Sequence, residues 1–172
     1  MIITNNEEAL RVKCEKVLPE EVGALVEVLE RELEQYNKVY KNGIGLAAPQ
    51  IGIAKDISII RLGGEFNVNL VNAKIGKMYD QIVFKEEGCL SFPGRLEDTS
   101  RFQEIEIVGN LWEVERFVAT GFFAVACQHE IDHLNSSLFI DKIVKPKPSI
   151  KLKPNDPCYC GSDKKFKKCC GK

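Results

Sequence analysis

The sequence predicts an α+β fold in which short antiparallel strands surround one buried central helix. The first observation is that the segment following Thr120 is apolar almost all round in its first half, as expected of a helix that is enclosed on every side. The second is a series of short apolar or alternating segments separated by Gly-Gly and Gly-Asn pairs, which is typical of antiparallel strands. With 172 residues, the chain has room for one domain of ordinary size and a short appendage.

The N-terminal part begins with an amphipathic helix. Apolar side chains recur at helical spacing between Pro19 and Tyr40, Pro19 suits a first helical turn, and Asn42-Gly43 ends the pattern. Residues 43–50 are too rich in glycine for a helix and too apolar for an exposed loop. We therefore expect a buried loop or irregular strand there, with backbone lying close to another group.

Short strands follow, and the chain then enters the central helix. The predicted strands cover residues 57–62, 66–71, 81–85, 104–108 and 112–118. Gly63-Gly64 separates the first two strands, and Gly109-Asn110 turns the last two into a hairpin. Thr120 is placed to cap the central helix, which we expect to run to about Asn135.

The charges divide the chain into an acidic body and a basic tail. Residues 142–172 carry ten Lys against two Asp, whereas residues 1–141 carry 14 Lys and Arg against 23 Asp and Glu. A basic tail on an acidic body is typical of a chain that meets an anionic partner. A solvated run of charges is the alternative interpretation of the same pattern.

The first residues lack the features of an export signal. Residues 1–8 contain neither a basic n-region nor an apolar h-region, and no apolar run approaches the roughly 20 residues that a bilayer span needs. We therefore expect a cytoplasmic protein without a membrane span, where clustered cysteines bind metal more often than they pair. The odd count of seven cysteines also disfavours a closed disulfide framework.

The predicted central helix contains both histidines of the chain. His129 and His133 lie one turn apart on one helix face, about 6 Å along the axis, so both rings can reach one metal ion, with Glu130 beside it as proton acceptor. Two satisfied core histidines are the alternative, although burying these polar groups unpaired would cost free energy. A catalytic metal needs a third protein ligand, and Cys89 offers a thiolate suited to zinc or ferrous iron.

Three segments together resemble the three motifs of the peptide deformylases. They are residues 43–50, 87–91 and 129–133, which stand in the order and rough spacing of those motifs, and a looser likeness extends over residues 1–143. The resemblance implies a catalytic domain over residues 1–143 with the deformylase-like fold. It also implies the activity, which is removal of the N-formyl group from the initiator methionine of nascent polypeptides with release of formate.

The resemblance further implies the metal chemistry. Cys89, His129 and His133 would hold the metal, and a water molecule on it would attack the formyl carbon. Glu130 would take the proton as general base and later deliver it to the departing amine as general acid. Deformylases resemble one another in using Fe²⁺, which zinc, nickel or cobalt can replace on isolation, and the donor set suits all of these metals.

The resemblance also assigns residues around the metal. The formyl oxygen would accept hydrogen bonds from the side-chain amide of Gln50 and the backbone N–H of Leu90. Gly45 would be small because substrate backbone passes beside it, and we hypothesise that Arg101 and Asp132 orient the metal ligands. The residues predicted to contact substrate are Ile44, Gly45, Gly88 and Val125.

Four cysteines near the C-terminal end of the sequence indicate a second metal site. They are Cys158, Cys160, Cys169 and Cys170. Four thiolates close a tetrahedral structural zinc site, and the Zn²⁺ would supply the folding free energy of a segment with no core. A disordered tail with reactive thiols is the alternative. Residues 154–172 resemble the SEC-C motif found at the end of the SecA translocation motor, where it binds zinc, and the Lys- and Pro-rich residues 144–153 are predicted to be a linker.

The SEC-C resemblance implies a docking element with a ribosome or chaperone as partner. Because lysines surround Phe166, we hypothesise that the tail brings the enzyme to the anionic RNA of the ribosome and so to formyl-methionyl nascent peptides. Two other functions stay open. An HExxH endopeptidase is disfavoured by the upstream thiolate ligand, and a non-catalytic metal-binding adaptor on the same scaffold would have no need for Glu130.

Overall fold

The fold is seen in a computed structural model that describes residues 1–111, 115–144, 152–159, 162 and 164–171. The chain divides into two units, Met1–Lys142 and Ile143–Lys172. Within the described residues, no helix combines the length and the hydropathy that a membrane span requires.

The larger unit is built from helices and two antiparallel sheets, and the α+β class is confirmed. Its helices are α1 (Glu7–Leu10), α2 (Val22–Val39) and α3 (Gly121–Leu134). The first sheet has the order β1 (Gly45–Ala47), β2 (Ile57–Arg61) and β3 (Asn67–Val71). The second sheet has the order β4 (Lys74–Gly88), β5 (Leu96–Val108) and β6 (Arg116–Thr120). Because of these orders, β1 and β4 are edge strands.

Most predicted elements are confirmed, several with different lengths. The two predicted helices correspond to α2 and α3, and residues 43–50 form β1 followed by a 3-10 helix, Ala48–Ile51. The strand predicted over 81–85 is part of the 15-residue β4, and the one predicted over 104–108 ends the 13-residue β5. Residues 112–114 of the predicted return strand lie outside the described residues.

Two features escaped sequence prediction for physical reasons. Most residues of β4 are exposed, and its exposed side chains are polar and apolar in turn without a regular period, so the strand lacks the alternating apolar pattern that marks a half-buried strand. Helix α1 has only four residues, which is too short for a helical period to show. Thr120 precedes α3 as expected, but its side chain makes no capping hydrogen bond.

Helix α3 lies in the core, where it contacts both sheets. Ala124, Cys127 and Ile131 of this helix belong to one buried cluster that also contains Ile60 of the first sheet and Ile105 of the second. Full burial of one large apolar side chain stabilises a fold by about 1.5–3 kcal/mol. Contact with both sheets therefore explains why α3 is apolar nearly all round, as the sequence predicts.

Strand β4 carries a β-bulge just before the end that approaches α3. Phe84 pairs with Thr99 and Glu87 pairs with Glu97, so β4 has one extra residue between these pairs. Glu86 occupies this bulge with φ +54°, a left-handed conformation. Because paired residues point to the same face, the bulge places the Glu87 side chain on the inner face with that of Thr99.

The smaller unit is described in part. An antiparallel bridge joins Pro157 and Lys165, and a 3-10 helix covers Phe166–Lys168. The rings of Tyr159 and Phe166 lie 6.2 Å apart. Residues 145–151 of the predicted linker lie outside the described residues.

Candidate active site and metal centres

The three predicted metal ligands come together in the larger unit. The donor atoms of Cys89, His129 and His133 all lie within 4.8 Å of one another. Cys89 Sγ is 3.3 Å from His133 Nε2, and the two imidazole rings are 5.1 Å apart. One thiolate and two imidazoles fit a first-row transition metal such as iron or zinc and leave a coordination position for solvent.

Glu87 contacts one of these predicted ligands, and sequence reasoning missed this contact. Glu87 Oε1 lies 2.6 Å from His129 Nδ1, which leaves the other ring nitrogen of His129 for a metal. Arg101 donates to both oxygens of Glu87, from Nη2 at 2.6 Å and from Nε at 2.8 Å, and the Thr99 hydroxyl also donates to Glu87. Burial opposes ionisation of Glu87, but the hydrogen bonds from His129 and Arg101 outweigh it and lower its pKa to about 2.

Arg101 and Asp132 do contact each other, as the hypothesis about ligand orientation requires. Arg101 Nη1 donates to Asp132 Oδ2 at 2.6 Å, and Lys142 Nζ lies 3.6 Å from the other oxygen of Asp132. Arg101 reaches His129 only through Glu87. The chain of contacts therefore runs from Asp132 through Arg101 and Glu87 to the imidazole.

The surroundings shift the pKa values of the two histidines in opposite directions. Although burial opposes protonation, the neighbouring Cys89 and Glu87 raise the pKa of His129 well above its ordinary value. Burial and the adjacent His129 lower the pKa of His133 well below its ordinary value. A metal cation between the ligands would take the place of the proton on His129, so the charge of the site also fits a cation.

Glu130 points into the same site with a free carboxylate oxygen. The side chain is buried, and its Oε2 has no hydrogen-bond partner among the described residues. Burial raises the pKa of Glu130 to about 7, against the opposing influence of His129. An unpartnered buried carboxylate oxygen fits a site that takes solvent beside a metal.

Gly45 makes room for that carboxylate. A Cβ atom placed on Gly45 would overlap Glu130 Oε1. The sequence interpretation attributed the small size of Gly45 to passing substrate, and the structure adds the position of Glu130 as a second cause. The signal for this cause was absent from the sequence because the two residues are 85 positions apart.

Gln50 and Leu90 present hydrogen-bond donors next to Cys89. Gln50 Oε1 accepts from the backbone N–H of Ala47 at 2.9 Å, which turns the amide nitrogen toward the metal ligands. Gln50 Nε2 lies 3.1 Å from Ser91 Oγ and 3.5 Å from Cys89 Sγ. The backbone N–H of Leu90 has no acceptor in the part of the chain that the structure describes.

A cavity of about 320 Å³ opens beside these groups. Edge strands β1 and β4 both contribute to its walls. Phe84 and Phe122, which sequence reasoning did not single out, also line it with rings 6.0 Å apart. The cavity is lined by all four residues predicted to contact substrate, Ile44, Gly45, Gly88 and Val125.

The smaller unit contains a second group of candidate ligands. The Sγ atoms of Cys158, Cys169 and Cys170 lie within 4.8 Å of one another. The fourth predicted ligand, Cys160, lies outside the described residues. The side chains of Lys164, Lys165, Lys167 and Lys168 are exposed around this cluster.

Two protein-family models match the sequence. One, described as polypeptide deformylase, matches residues 1–149, and the other, described as the SEC-C motif, matches residues 155–172. The two resemblances found in the sequence are thereby confirmed.

Individual relatives carry the same description. The chain is 44% identical over 106 residues to a peptide deformylase of Halothermothrix orenii, in a match that covers 60% of this chain and 68% of the relative. It is 38% identical over 144 residues to peptide deformylase 1 of Clostridium perfringens, covering 80% of this chain and 92% of the relative. The crystal structure of a peptide deformylase from Thermotoga maritima superposes with a TM-score of 0.72 at 30% identity and covers 84% of this chain and 97% of that one.

Proposed function

Because the chain belongs to the polypeptide deformylase family and is thus an enzyme, a deformylase, we propose that it hydrolyses the N-formyl group of formyl-methionyl nascent peptides and releases formate. One observation carries the proposal. The donor atoms of Cys89, His129 and His133 come together, and Cys89 and His129 line one cavity with Glu130 and Gln50. This is the set of groups that metal-assisted hydrolysis of an amide requires.

The family is metal-dependent, and we propose Cys89, His129 and His133 as the ligands of Fe²⁺, with zinc, nickel or cobalt as substitutes. When bound, the metal would act as a Lewis acid that makes hydroxide available near neutral pH. Glu87 would hold the imidazole of His129 in the tautomer that leaves its second nitrogen for the metal.

Glu130 would move the proton of the reaction. Its Oε2 would accept a proton from the attacking water and later donate it to the nitrogen of the departing methionine. A general base works best when its pKa lies near the operating pH, and burial raises the pKa of Glu130 to about 7. Gly45 leaves the space that this carboxylate occupies.

Gln50 and Leu90 would stabilise the charge that develops on the formyl oxygen. Gln50 Nε2 lies 3.5 Å from Cys89 Sγ, the backbone N–H of Leu90 belongs to the residue that follows Cys89, and both groups are donors. Such fixed donors stabilise an oxyanion more than the neutral carbonyl, so they lower the barrier.

The peptide would bind in the cavity between the two sheets. Edge strands β1 and β4 both line it and can offer unpaired backbone groups to an extended substrate backbone. The methionine side chain would lie against Ile44 and Val125, and its sulfur against the ring edges of Phe84 and Phe122.

The test is formate release from a formyl-Met-Ala-Ser peptide by the full chain, purified without oxygen and loaded with Fe²⁺ or Ni²⁺. We expect turnover by the parent protein, and its loss in a Glu130→Gln variant that still binds one metal at this site. The unformylated peptide serves as second substrate, and its cleavage would instead support an endopeptidase. Absence of turnover in a metal-loaded parent would support the adaptor function.

For the smaller unit we propose a structural Zn²⁺ on Cys158, Cys160, Cys169 and Cys170, and docking to ribosomal RNA through the exposed lysines in the cytoplasm. Contacts between lysines and phosphates weaken as salt rises. We expect the full chain to sediment with ribosomes at low salt and a variant lacking residues 145–172 to sediment less. Equal sedimentation of both forms would contradict ribosome docking, and a chaperone would become the leading partner.

A further inference from the structure

The first residues of the chain contact the segments that carry Gln50 and Leu90 and the segment that follows α3. Residues 3–12, which make these contacts, form the N-terminal strap. The backbone N–H of Ile3 donates to the carbonyl of Gln50 at 2.7 Å, and the N–H of Asn5 donates to the carbonyl of Ser91 at 2.9 Å. The strap therefore bridges the segment that carries Gln50 and the segment that carries Leu90. The side chains of these two segments are also joined, by a hydrogen bond from Gln50 Nε2 to Ser91 Oγ.

The strap also holds the segment that follows α3. Arg11 donates to both carboxylate oxygens of Asp141, at 2.7 and 2.8 Å, and Ser136 Oγ donates to the carbonyl of Val12 at 2.7 Å. Ser136 lies three residues after His133. The strap is thereby joined to the residues that directly follow α3, where the backbone N–H of Ser136 donates to the carbonyl of His133 at 3.2 Å.

Apolar packing supports the same arrangement. Leu10 of the strap is fully buried in a cluster with Phe92 and Phe139, and Ile3 and Cys89 pack against this cluster. The ring of Phe139 lies 6.0 Å from that of His129. In the described part of the chain, no strap residue lines the cavity.

We propose that the N-terminal strap is a positioning element for oxyanion stabilisation, and that the backbone N–H of Ile3 is its main contact. The hydrogen bonds from the strap to the carbonyls of Gln50 and Ser91 set the separation between the Gln50 amide and the Leu90 N–H. The inference rests on the proposed deformylase mechanism. Because the strap does not touch the cavity, its loss would lower kcat and leave KM nearly unchanged.

The experiment compares two substitutions at Ile3 in the full, metal-loaded chain. Ile3→Pro removes the N–H donor, whereas Ile3→Ala removes most of the side chain and keeps the donor. Misplacement of a catalytic group by about 1 Å can cost about 100-fold in rate, so we expect Ile3→Pro to lower kcat by about 10-fold or more. We expect KM to stay within about 2-fold and Ile3→Ala to keep kcat within about 3-fold of the parent.

A double-mutant cycle with Gln50→Ala separates positioning from a general loss of structure. If the strap acts through Gln50, Ile3→Pro has little further effect once the amide is gone. An equal fold-loss in the parent and in Gln50→Ala, a rise in KM instead of a fall in kcat, or equal effects of Ile3→Pro and Ile3→Ala would each overturn the inference.

A second variant and a readout without turnover complete the test. Deletion of residues 2–4 places Met1 at the position of Thr4, so it removes the donor without introducing proline and replaces Ile3→Pro if that variant does not fold. NMR of the side-chain amide of Gln50 in the zinc-loaded protein, which is diamagnetic, reports the environment of this amide directly. We expect this signal to shift when the donor is lost and to stay in place in Ile3→Ala, and an unshifted signal after loss of the donor would contradict the inference. A parent that releases no formate refutes the proposed function, and the NMR comparison still decides about the strap.

Discussion

At the scale of single residues, the candidate site depends on close contacts in which one side chain fills the space that a second one would need. Glu130 is held where a Cβ on Gly45 would stand, and its Oε2 has no hydrogen-bond partner among the described residues. A buried carboxylate placed in this way responds strongly to small displacements, since its protonation and its reach both depend on its surroundings.

Gly45→Ala should therefore displace Glu130 and lower formate release. The added Cβ overlaps the carboxylate, and a shift of about 1 Å in a catalytic group can cost about 100-fold in rate. We expect kcat/KM to fall by about that factor while one metal ion stays bound, measured by formate release and elemental analysis. Gly23→Ala in α2, where a Cβ meets no atom within 4 Å, is the matched control. A Gly45→Ala enzyme as active as Gly23→Ala would contradict the placement of Glu130.

Glu87 is the second residue whose effect can be isolated. Its carboxylate accepts from His129, Arg101 and Thr99, and Glu87→Gln would turn an amide nitrogen toward one of these donors. Loss of such an outer partner of a metal ligand typically weakens metal affinity about 10–100-fold, and we expect that loss in a chelator competition. Asp132→Asn is the control because Asp132 contacts Arg101 and not His129, so its effect should be smaller. Equal affinity in parent and Glu87→Gln would refute the orienting role.

The residues that the sequence could predict are those with a local spacing. His129, Glu130 and His133 follow from the helical period, and Cys89 and Gln50 come from the resemblance of short motifs. Glu87 lay inside one of those motifs without an assigned role, because its place on the inner face depends on a bulge at Glu86 that no residue pattern announces.

At the scale of elements, structure that has a local apolar pattern could be predicted, and structure that depends on distant contacts could not. Helix α2 follows from apolar periodicity, whereas α3, β2 and β3 follow from short apolar segments bounded by a cap or turn residues. The full lengths of β4 and β5 do not, because β4 is an edge strand with a largely exposed surface. The N-terminal strap could not be predicted either, since its contacts join residues as many as 130 positions apart.

The ion pair that joins the strap to the segment after α3 should make stability depend on pH. Asp141 accepts from Arg11 and from the backbone N–H of Leu138, and these bonds lower its pKa to about 2. A lowered pKa stabilises the fold above the unfolded value of about 3.9, and the contribution disappears as pH falls through 2. Asp141→Asn should lower the melting temperature at pH 7, with a difference from the parent that shrinks below about pH 4.

Thermal unfolding of the full chain at pH 7, 4 and 2.5 measures this dependence. Glu7→Gln is the matched control, because Glu7 meets the same guanidinium at 3.2 Å from a more exposed position. Exposed pairs contribute little, so its melting temperature should stay close to that of the parent. A constant difference between Asp141→Asn and the parent at all three pH values would show that the ion pair is not the cause.

At the scale of the whole molecule, the two units differ in what holds them together. The larger unit contains three buried apolar clusters. In the described part of the smaller unit, Cys158 is the one buried side chain. A segment with so little buried apolar surface cannot offset the conformational entropy of folding without another source of free energy. Metal binding by its cysteines is the source that we propose.

Loss of one cysteine ligand should therefore unfold the smaller unit and spare catalysis. We expect Cys158→Ser to lose one zinc per chain and to become sensitive to protease within residues 152–171, because the metal supplies the folding free energy of that unit. The kcat/KM on a formylated tripeptide should stay that of the parent, since the proposed catalytic ligands all belong to the larger unit. Cys14→Ser, a half-buried cysteine outside both clusters, should change neither zinc content nor protease sensitivity. A fall in turnover that parallels the loss of zinc would mean that the smaller unit contributes to the reaction, whereas unchanged zinc content would remove Cys158 from the ligand set.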